Sequence, residues 1–338
     1  MATIATPPSP PPPPLDLRTV LSESKRIINA HSRHFLALSV LFLLPISFSL
    51  TVFPTIHNLL TQSSTLNSKI FLSAATYDVV FNPNDTPTIT LLLSILLSLF
   101  VFVFTLLSLG SITYSVLHGF YGRPVKILSA VKSAFTSFLR LLITSILIQS
   151  FFLSLVILCG SCLFFVMEFS KLDSSSPFFI GFSVIVLIVL MLVLVYLQLN
   201  WLLVSVIVVV ESSWGFQPLK RSSYLIKGMR GVGLGLWLFF GALACVLMFI
   251  SSVSGVTLGI GTSNRWKSCA FVLQIVVTST LLMLLLLYNV AANTVMYMYC
   301  KAIRGELALE IAEEFAREYV SLPFDDGKVP HLVSVAYA

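Results

Sequence analysis

The chain has 338 residues, of which 57% are hydrophobic and 10% charged, whereas soluble domains carry about 25% charge. This composition excludes a water-soluble globule and indicates a helical bundle in lipid. The net charge is +6. Because the basic residues lie between apolar runs, anionic lipid headgroups are a nearer partner than nucleic acid.

The N-terminal residues precede the first apolar run and lack the pattern of a signal peptide. Residues 1–14 end in consecutive prolines, which predicts a disordered or polyproline-like tail. Residues 15–34 mix apolar and basic side chains at helical spacing, which predicts an amphipathic helix on the membrane surface. Because no basic segment leads into a short apolar core, we expect the first span to serve as a retained signal anchor.

Six apolar runs predict an all-α integral membrane protein with about six transmembrane helices. The membrane domain covers 15–300, and its runs lie at about 35–56, 87–117, 138–167, 177–210, 232–260 and 270–299. Each run reaches the roughly 20 residues that cross a hydrocarbon layer of about 30 Å. Pro45 and Pro54 are expected to kink the first span or end it early, because proline lacks the N–H that a helix interior uses.

Lysine and arginine divide unequally between the two sides of the predicted membrane domain. The N-terminal segment, the regions 118–140 and 211–231 and the C-terminal tail each hold four, which makes 16 of the 20. The positive-inside rule therefore places both termini in the cytosol, in the endoplasmic reticulum, the Golgi or the plasma membrane. Loop 57–86 is then lumenal or extracellular, and Asn84 begins an N-x-T glycosylation sequence there.

Two of the predicted cytosolic loops share one pattern, and we call them the first elbow (residues 121–140) and the second elbow (residues 214–230). In each, an aromatic-glycine pair precedes a proline, an apolar residue and a lysine. Both elbows predict amphipathic helices under the cytosolic leaflet, with the proline in the first turn. Their predicted contacts to anionic lipid are Arg123, Lys126, Lys132, Lys220, Arg221, Lys227 and Arg230. The alternative is that these charges only fix the topology.

The second elbow carries a resemblance to a bacterial family. The stretch 208–211, followed by Gly215, Pro218 and Arg221-Ser222, is similar to the signature of the multi-pass membrane domain attached to some glycerophosphodiester phosphodiesterases. The similarity covers roughly residues 95–300. It implies no catalytic residue here, because the phosphodiesterase chemistry of those proteins belongs to a separate soluble domain.

The whole chain resembles more closely a plant family of multi-pass membrane proteins of unknown function. This resemblance rests on the proline-rich start, the Arg221-Ser222 elbow, the stretch 289–293 and the tail 322–328. Some members of that family are labelled as binding a polyadenylate-binding protein.

The spans contain almost no ionisable side chain, which argues against proton-coupled pumps and intramembrane proteases. No catalytic, metal or cofactor residue is nominated. Asn289 and Asn293 lie one turn apart on the last span and predict either a polar path or hydrogen bonding between helices. Further amides within the spans are Gln149, Gln198, Asn200 and Gln274. Cys300, beside a lysine at the membrane edge, is a candidate for palmitoylation.

Small and acidic residues raise the question of partners. Gly231 and Gly235 are four apart, as are Gly255 and Gly259, which predicts close helix packing within the chain or in a homo-oligomer. The C-terminal region 301–338 begins with a predicted amphipathic helix that is rich in glutamate. Because anionic lipid would repel that helix, we expect it to dock on the basic cytosolic face or on a cytosolic protein partner at 301–320.

These features together predict a non-enzymatic protein that organises an endomembrane, or adapts cytosolic partners to it, through its cytosolic face. The alternative is a small-solute transporter or lipid-handling protein with a polar path near Asn289 and Asn293.

Overall fold

A computed structural model describes residues 16–54, 85–123, 125–170, 176–257 and 269–320. Every regular element in these ranges is a helix. The helices are α1 (Leu17–Ala30), α2 (Ser32–Pro54), α3 (Asp85–Phe120), α4 (Ile127–Ser170), α5 (Pro177–Asn200), α6 (Val204–Val210), α7 (Gln217–Leu225), α8 (Arg230–Thr257), α9 (Cys269–Ile303) and α10 (Glu306–Val320). The proline-rich start, Asn84, Pro124 and the chain after residue 320 lie outside the described residues.

The predicted fold class is confirmed. Within the described ranges, six helical segments are long and apolar enough to cross a membrane, and they match the six predicted runs. The protein is therefore an all-α, multi-pass integral membrane protein. The fourth span contains a break that its uniform hydropathy did not predict, because a turn at 201–203 separates α5 from α6.

The first elbow differs from its prediction. Residues 127–140 do not form a separate surface helix, since α4 runs without a break from Ile127 to Ser170. A straight helix of these 44 residues is about 66 Å long, roughly twice the thickness of the hydrocarbon core. Residues 127–140 of the first elbow are thus the first part of the same helix as the third span.

Proline distorts the first span without ending it. A π-helical turn at Ser39–Leu43 precedes Pro45, and the helix then continues to Pro54. Pro45 has no N–H to donate to the carbonyl of Leu41, and its ring crowds that turn. A wider turn just before the proline relieves this conflict.

The helix α9 is the centre of the bundle and packs against α1, α2, α3, α6, α7, α8 and α10. Apart from Asn293 and Tyr299, every residue from 290 to 301 is buried, as expected for a helix that is covered on all sides. The amphipathic helix α1 packs its buried residues Val20 and Ile27 in the same core. Its apolar face therefore lies on the bundle and not directly on lipid.

Among the described glycines, Gly110 marks the closest approach to a neighbouring backbone, between α3 and α4. A Cβ added to Gly110 would lie 2.9 Å from Cα of Ala134. The predicted close packing at α8 is not seen at Gly231, where an added Cβ would meet nothing within 4 Å, and at Gly235 it would meet only the Leu17 side chain. The pair Gly255 and Gly259 lies outside the residues whose packing is described.

Candidate functional site

The two elbows begin with the same backbone turn. Gly122 has φ 70° and Gly215 has φ 75°, the left-handed region that glycine enters without steric cost. After this turn the elbows diverge, because only the second elbow forms a helix of its own, α7. Helix α7 is amphipathic as predicted, but its buried residues, Leu219 and Leu225 among them, pack into the bundle and not under the leaflet.

A serine of the second elbow stabilises the break in the fourth span. Ser222 is fully buried and its hydroxyl donates to the backbone carbonyl of Asn200, at 2.7 Å. This carbonyl ends α5, where the turn at 201–203 interrupts the regular hydrogen-bond ladder. A buried carbonyl without a partner is costly, so Ser222 stabilises the interrupted helix.

Replacing Ser222 with alanine is expected to lower the free energy of unfolding by about 1 kcal/mol, the worth of one buried hydrogen bond plus the stranded carbonyl. Thermal unfolding of the purified protein in detergent measures this loss. Ser223→Ala is the matched control, because the Ser223 hydroxyl bonds only within its own helix, to the carbonyl of Leu219. Equal stability of the two variants would contradict the role of Ser222.

Four side chains from α6, α7, α9 and α10 form a cluster that we call the carboxylate junction: Glu211, Arg221, Tyr297 and Glu306. Arg221 donates through Nε to Glu211 at 3.2 Å and through Nη1 to Glu306 at 3.1 Å. Its Nη2 also pairs with Glu306. The Tyr297 hydroxyl donates to the same Glu211 oxygen at 2.9 Å. Two segments far apart in sequence, 211–221 and 297–306, therefore meet in this junction.

The electrostatics of the carboxylate junction keep Arg221 charged. Its hydrogen bond to Glu306 raises the pKa of Arg221 above the ordinary value, and Glu211 acts in the same direction, while burial opposes them. A guanidinium flanked by two carboxylates stays protonated throughout the physiological range. Arg221 therefore keeps its positive charge in its contacts with both Glu211 and Glu306.

A second set of contacts fastens α10 to the bundle. Lys301 pairs with Glu310. Arg304 donates to the carbonyl of Tyr224 in α7 and lies over the Tyr224 ring, 3.8 Å from its centroid. Leu307 packs against the main core. The start of the acidic helix thus docks on the bundle, the first of the two alternatives that the sequence left open.

A cavity of about 410 Å³ opens beside the carboxylate junction. Its lining includes Glu211, Ser213, Lys220, Arg221 and Tyr224. The Ser213 hydroxyl is buried without a hydrogen-bond partner among the described residues. The cavity is polar on one wall, but the cation Arg221 is already neutralised by protein carboxylates.

The predicted lipid contacts separate into two groups. Arg123, Lys126, Lys132, Lys220 and Lys227 are exposed. Arg230 is half-buried and lies over the Tyr196 ring, 5.3 Å from its centroid. The lipid contact predicted for Arg221 is contradicted, because Glu211 and Glu306 already pair with its guanidinium.

Two other predicted sites also change. Asn293 donates through Nδ2 to Oδ1 of Asn289 at 3.2 Å, so the two amides pair with each other within α9 instead of between helices. Cys300 is 1% exposed and its sulfur lies 3.6 Å from that of Met229. Burial of the thiol argues against the palmitoylation predicted at Cys300, because an acyl chain needs access to the sulfur.

A family model described as Domain of unknown function (DUF8558) matches residues 14–327. The chain belongs to this family. The match includes both elbows, the six spans and the whole carboxylate junction, so the junction lies within the family's own domain and not in an appended segment. Comparisons with curated proteins and with solved structures gave no match.

The sequence did not reveal the carboxylate junction as a unit. Glu211 and Arg221 stood in the motif of the second elbow, and the glutamates of 301–320 were expected to meet basic residues. What was missing was the pairing of Arg221 with Glu306, which are 85 residues apart. Only the packing of α10 on α7 brings these two together.

Proposed function

We propose that this protein is a non-enzymatic organiser or adaptor of an endomembrane or the plasma membrane, which contacts anionic lipid and a cytosolic partner through its cytosolic face. The observation that carries this proposal is that the second elbow contains two sets of residues, one buried in the bundle and one exposed on its surface. Its apolar stripe and Arg221 hold the bundle together, whereas Lys220, Lys227 and the aromatic rings of Trp214 and Phe216 stay exposed.

The exposed part of the second elbow has the composition of a membrane-interface contact. Trp214 is 62% exposed and Phe216 is 72% exposed. They follow the fourth span by only a few residues, so they lie near the level of the headgroups. Tryptophan favours this level because its ring is apolar and its N–H is polar. Each nearby lysine adds roughly 1 kcal/mol of attraction to an anionic surface.

Quenching of Trp214 fluorescence by brominated lipid tests the lipid contact. The Trp214 signal is the difference between wild type and Trp214→Phe in nanodiscs with or without phosphatidylserine. We expect stronger quenching with phosphatidylserine, and we expect Lys220→Glu with Lys227→Glu to abolish that difference. The control pair Lys126→Glu with Lys132→Glu makes the same charge change in the first elbow. If both pairs act equally, the second elbow has no specific contact.

The outer face of α10 is the proposed surface for a cytosolic partner. Glu306, Leu307 and Glu310 contact the bundle, while Leu309 is 68% exposed and Glu313, one turn beyond it, is also exposed. An apolar side chain beside an acidic one fits a partner groove with a basic rim. The pairs that fasten α10 hold this surface in a fixed orientation.

Proximity labelling from the C-terminus in intact cells tests recruitment. We expect Leu309→Asp to remove a defined set of labelled neighbours, because the substitution changes the outer face and leaves Glu306 and Glu310 in place. Ala302→Asp, an exposed position in the last turn of α9, is the control. Identical labelling in wild type, Leu309→Asp and a chain that ends after Gly305 would contradict an adaptor role.

A second candidate function, transport or lipid handling, is favoured by a cleft between α4, α5 and α8. The cleft measures about 560 Å³, and Gln149, Gln198 and Trp237 are among its lining residues. The fourth span runs from Pro177 to Val210, so Gln198 lies 21 residues from one end and 12 from the other, inside the hydrocarbon layer. Two exposed amides at that depth require a polar partner, because hydrocarbon offers none.

Uptake by vesicles that contain the purified protein tests this second function. Gln149→Leu with Gln198→Leu should abolish any transport or lipid transfer, whereas Asn293→Leu should leave it intact because Asn293 bonds within its own helix. If Asn293→Leu abolishes the flux and the double glutamine variant retains it, the polar path lies at Asn289 and Asn293 instead. Absence of any flux in the wild type would favour the organiser.

A further inference from the structure

A third cleft lies at the outside of the bundle, between α1, α8 and α9. It measures about 510 Å³, and its walls are almost entirely apolar, with Phe239, Leu243 and Leu284 among the lining residues. Among the described residues of its lining, Lys25 is the only one with a charged side chain. The volume is that of a site for a small molecule, and the walls suit a hydrocarbon chain.

The cleft runs along two membrane-spanning helices, parallel to which part of a lipid tail can lie. Along α8 its lining extends from Phe239 to Leu247, which is about 12 Å, and on α9 from Leu281 to Tyr288, about 10 Å. Both stretches belong to membrane spans. Helix α1 crosses one end of the cleft, so Lys25 stands where a tail inside the cleft would continue into its headgroup.

Lys25 is available for a ligand. Glu23, its acidic neighbour on α1, pairs with Arg26 instead. No carboxylate in the described part of the chain forms an ion pair with Lys25, which is exposed. Leu21, one turn earlier on the same face, contributes to the apolar wall. The face of α1 toward the cleft thus joins an apolar to a cationic position.

We infer that this cleft binds one anionic glycerophospholipid, with an acyl chain along α8 and α9 and the phosphate on Lys25. Charge complementarity and the apolar walls both fit that occupant. Each methylene that enters the cleft adds to affinity, while the lysine selects an anionic headgroup. This site is separate from the second elbow, so it does not rest on the proposed function.

Native mass spectrometry of the full chain tests the headgroup site, with phosphatidylserine and phosphatidylcholine of identical acyl chains. We expect one retained phosphatidylserine and a preference over phosphatidylcholine that Lys25→Met reduces by about fivefold, the effect of one cation near an anionic charge. Arg18→Met is the matched control, since Arg18 is exposed on the same helix but outside the cleft. Equal losses in both variants would show diffuse attraction and overturn the inference.

A second pair of variants tests the acyl-chain part of the cleft. Leu243→Trp should fill it and remove the retained lipid, whereas Leu238→Trp, exposed on the same helix outside the lining, should not. Glycerol 3-phosphate in excess should fail to displace the lipid, because it has no chain to bury. Retention in Leu243→Trp, or displacement by glycerol 3-phosphate, would overturn binding in the cleft.

Discussion

Replacing Arg221 with alanine is expected to lower the free energy of unfolding by about 2 kcal/mol and to release α10 from the bundle. The substitution leaves Glu211 and Glu306 facing each other without the cation that separates them. The three side chains are 30%, 25% and 27% exposed, so water partly screens their charges. The expected loss is therefore smaller than that of a fully buried pair. Thermal unfolding in detergent measures it.

Two controls separate the carboxylate junction from a general effect of charge removal. Lys220→Ala removes the neighbouring cation, which is exposed, and should leave stability unchanged. A double-mutant cycle of Arg221→Ala with Glu306→Ala should give a coupling energy of at least about 1 kcal/mol. Limited proteolysis between α9 and α10 should become faster in Arg221→Ala. Unchanged stability and unchanged cleavage would show that the junction does not hold α10.

The spans were predictable because hydropathy and length alone decide whether a helix can cross a bilayer. The break at 201–203 was not, since those residues contain neither proline nor glycine and read as part of one apolar run. The carbonyl of Asn200, just before the break, accepts from Ser222, which is 22 residues away. A break that is stabilised by a distant side chain leaves no local signal in the sequence.

The structural difference between the two elbows was present in their sequences, in the residues that follow the shared start. No glycine or proline occurs from Ile127 to Cys159, so nothing stops the helix between the first elbow and the third span. In the second elbow Gly228 has φ 97°, and this turn separates α7 from α8. The shared start of the elbows suggested one architecture, but these later residues decide it.

The candidate site was predictable only where it depends on local sequence patterns. Exposure of Lys132 and Lys220 follows from helical periodicity, which the sequence displays, whereas Lys126 and Lys227 are exposed in the turns next to α4 and α7. The pairing of Arg221 and the burial of Cys300 depend on which helices become neighbours. Helix α9 shows how weak that signal is, since it is apolar all round and its sequence gives no preferred face.

Replacing Gly110 with alanine is expected to lower the free energy of unfolding by about 2 kcal/mol, although alanine is the better helix former. Intrinsic propensity alone would raise helix stability by up to about 1 kcal/mol. Packing acts against it, because the new Cβ would stand 2.9 Å from Cα of Ala134, a distance that real Cβ atoms essentially never show. Helices α3 and α4 would have to separate. Unfolding by titration with SDS, together with thermal unfolding, measures the change.

Gly241→Ala is the matched control for Gly110→Ala. Gly241 lies inside α8, and a Cβ there would meet nothing within 4 Å, so only propensity acts and the variant should be as stable as wild type or more so. Adding Ala134→Gly to Gly110→Ala should not restore stability, because the obstructing atoms belong to the backbone of Ala134 and remain after its methyl group is removed. A stable Gly110→Ala protein, or full rescue by Ala134→Gly, would mean that α3 and α4 are less closely packed than their backbones indicate.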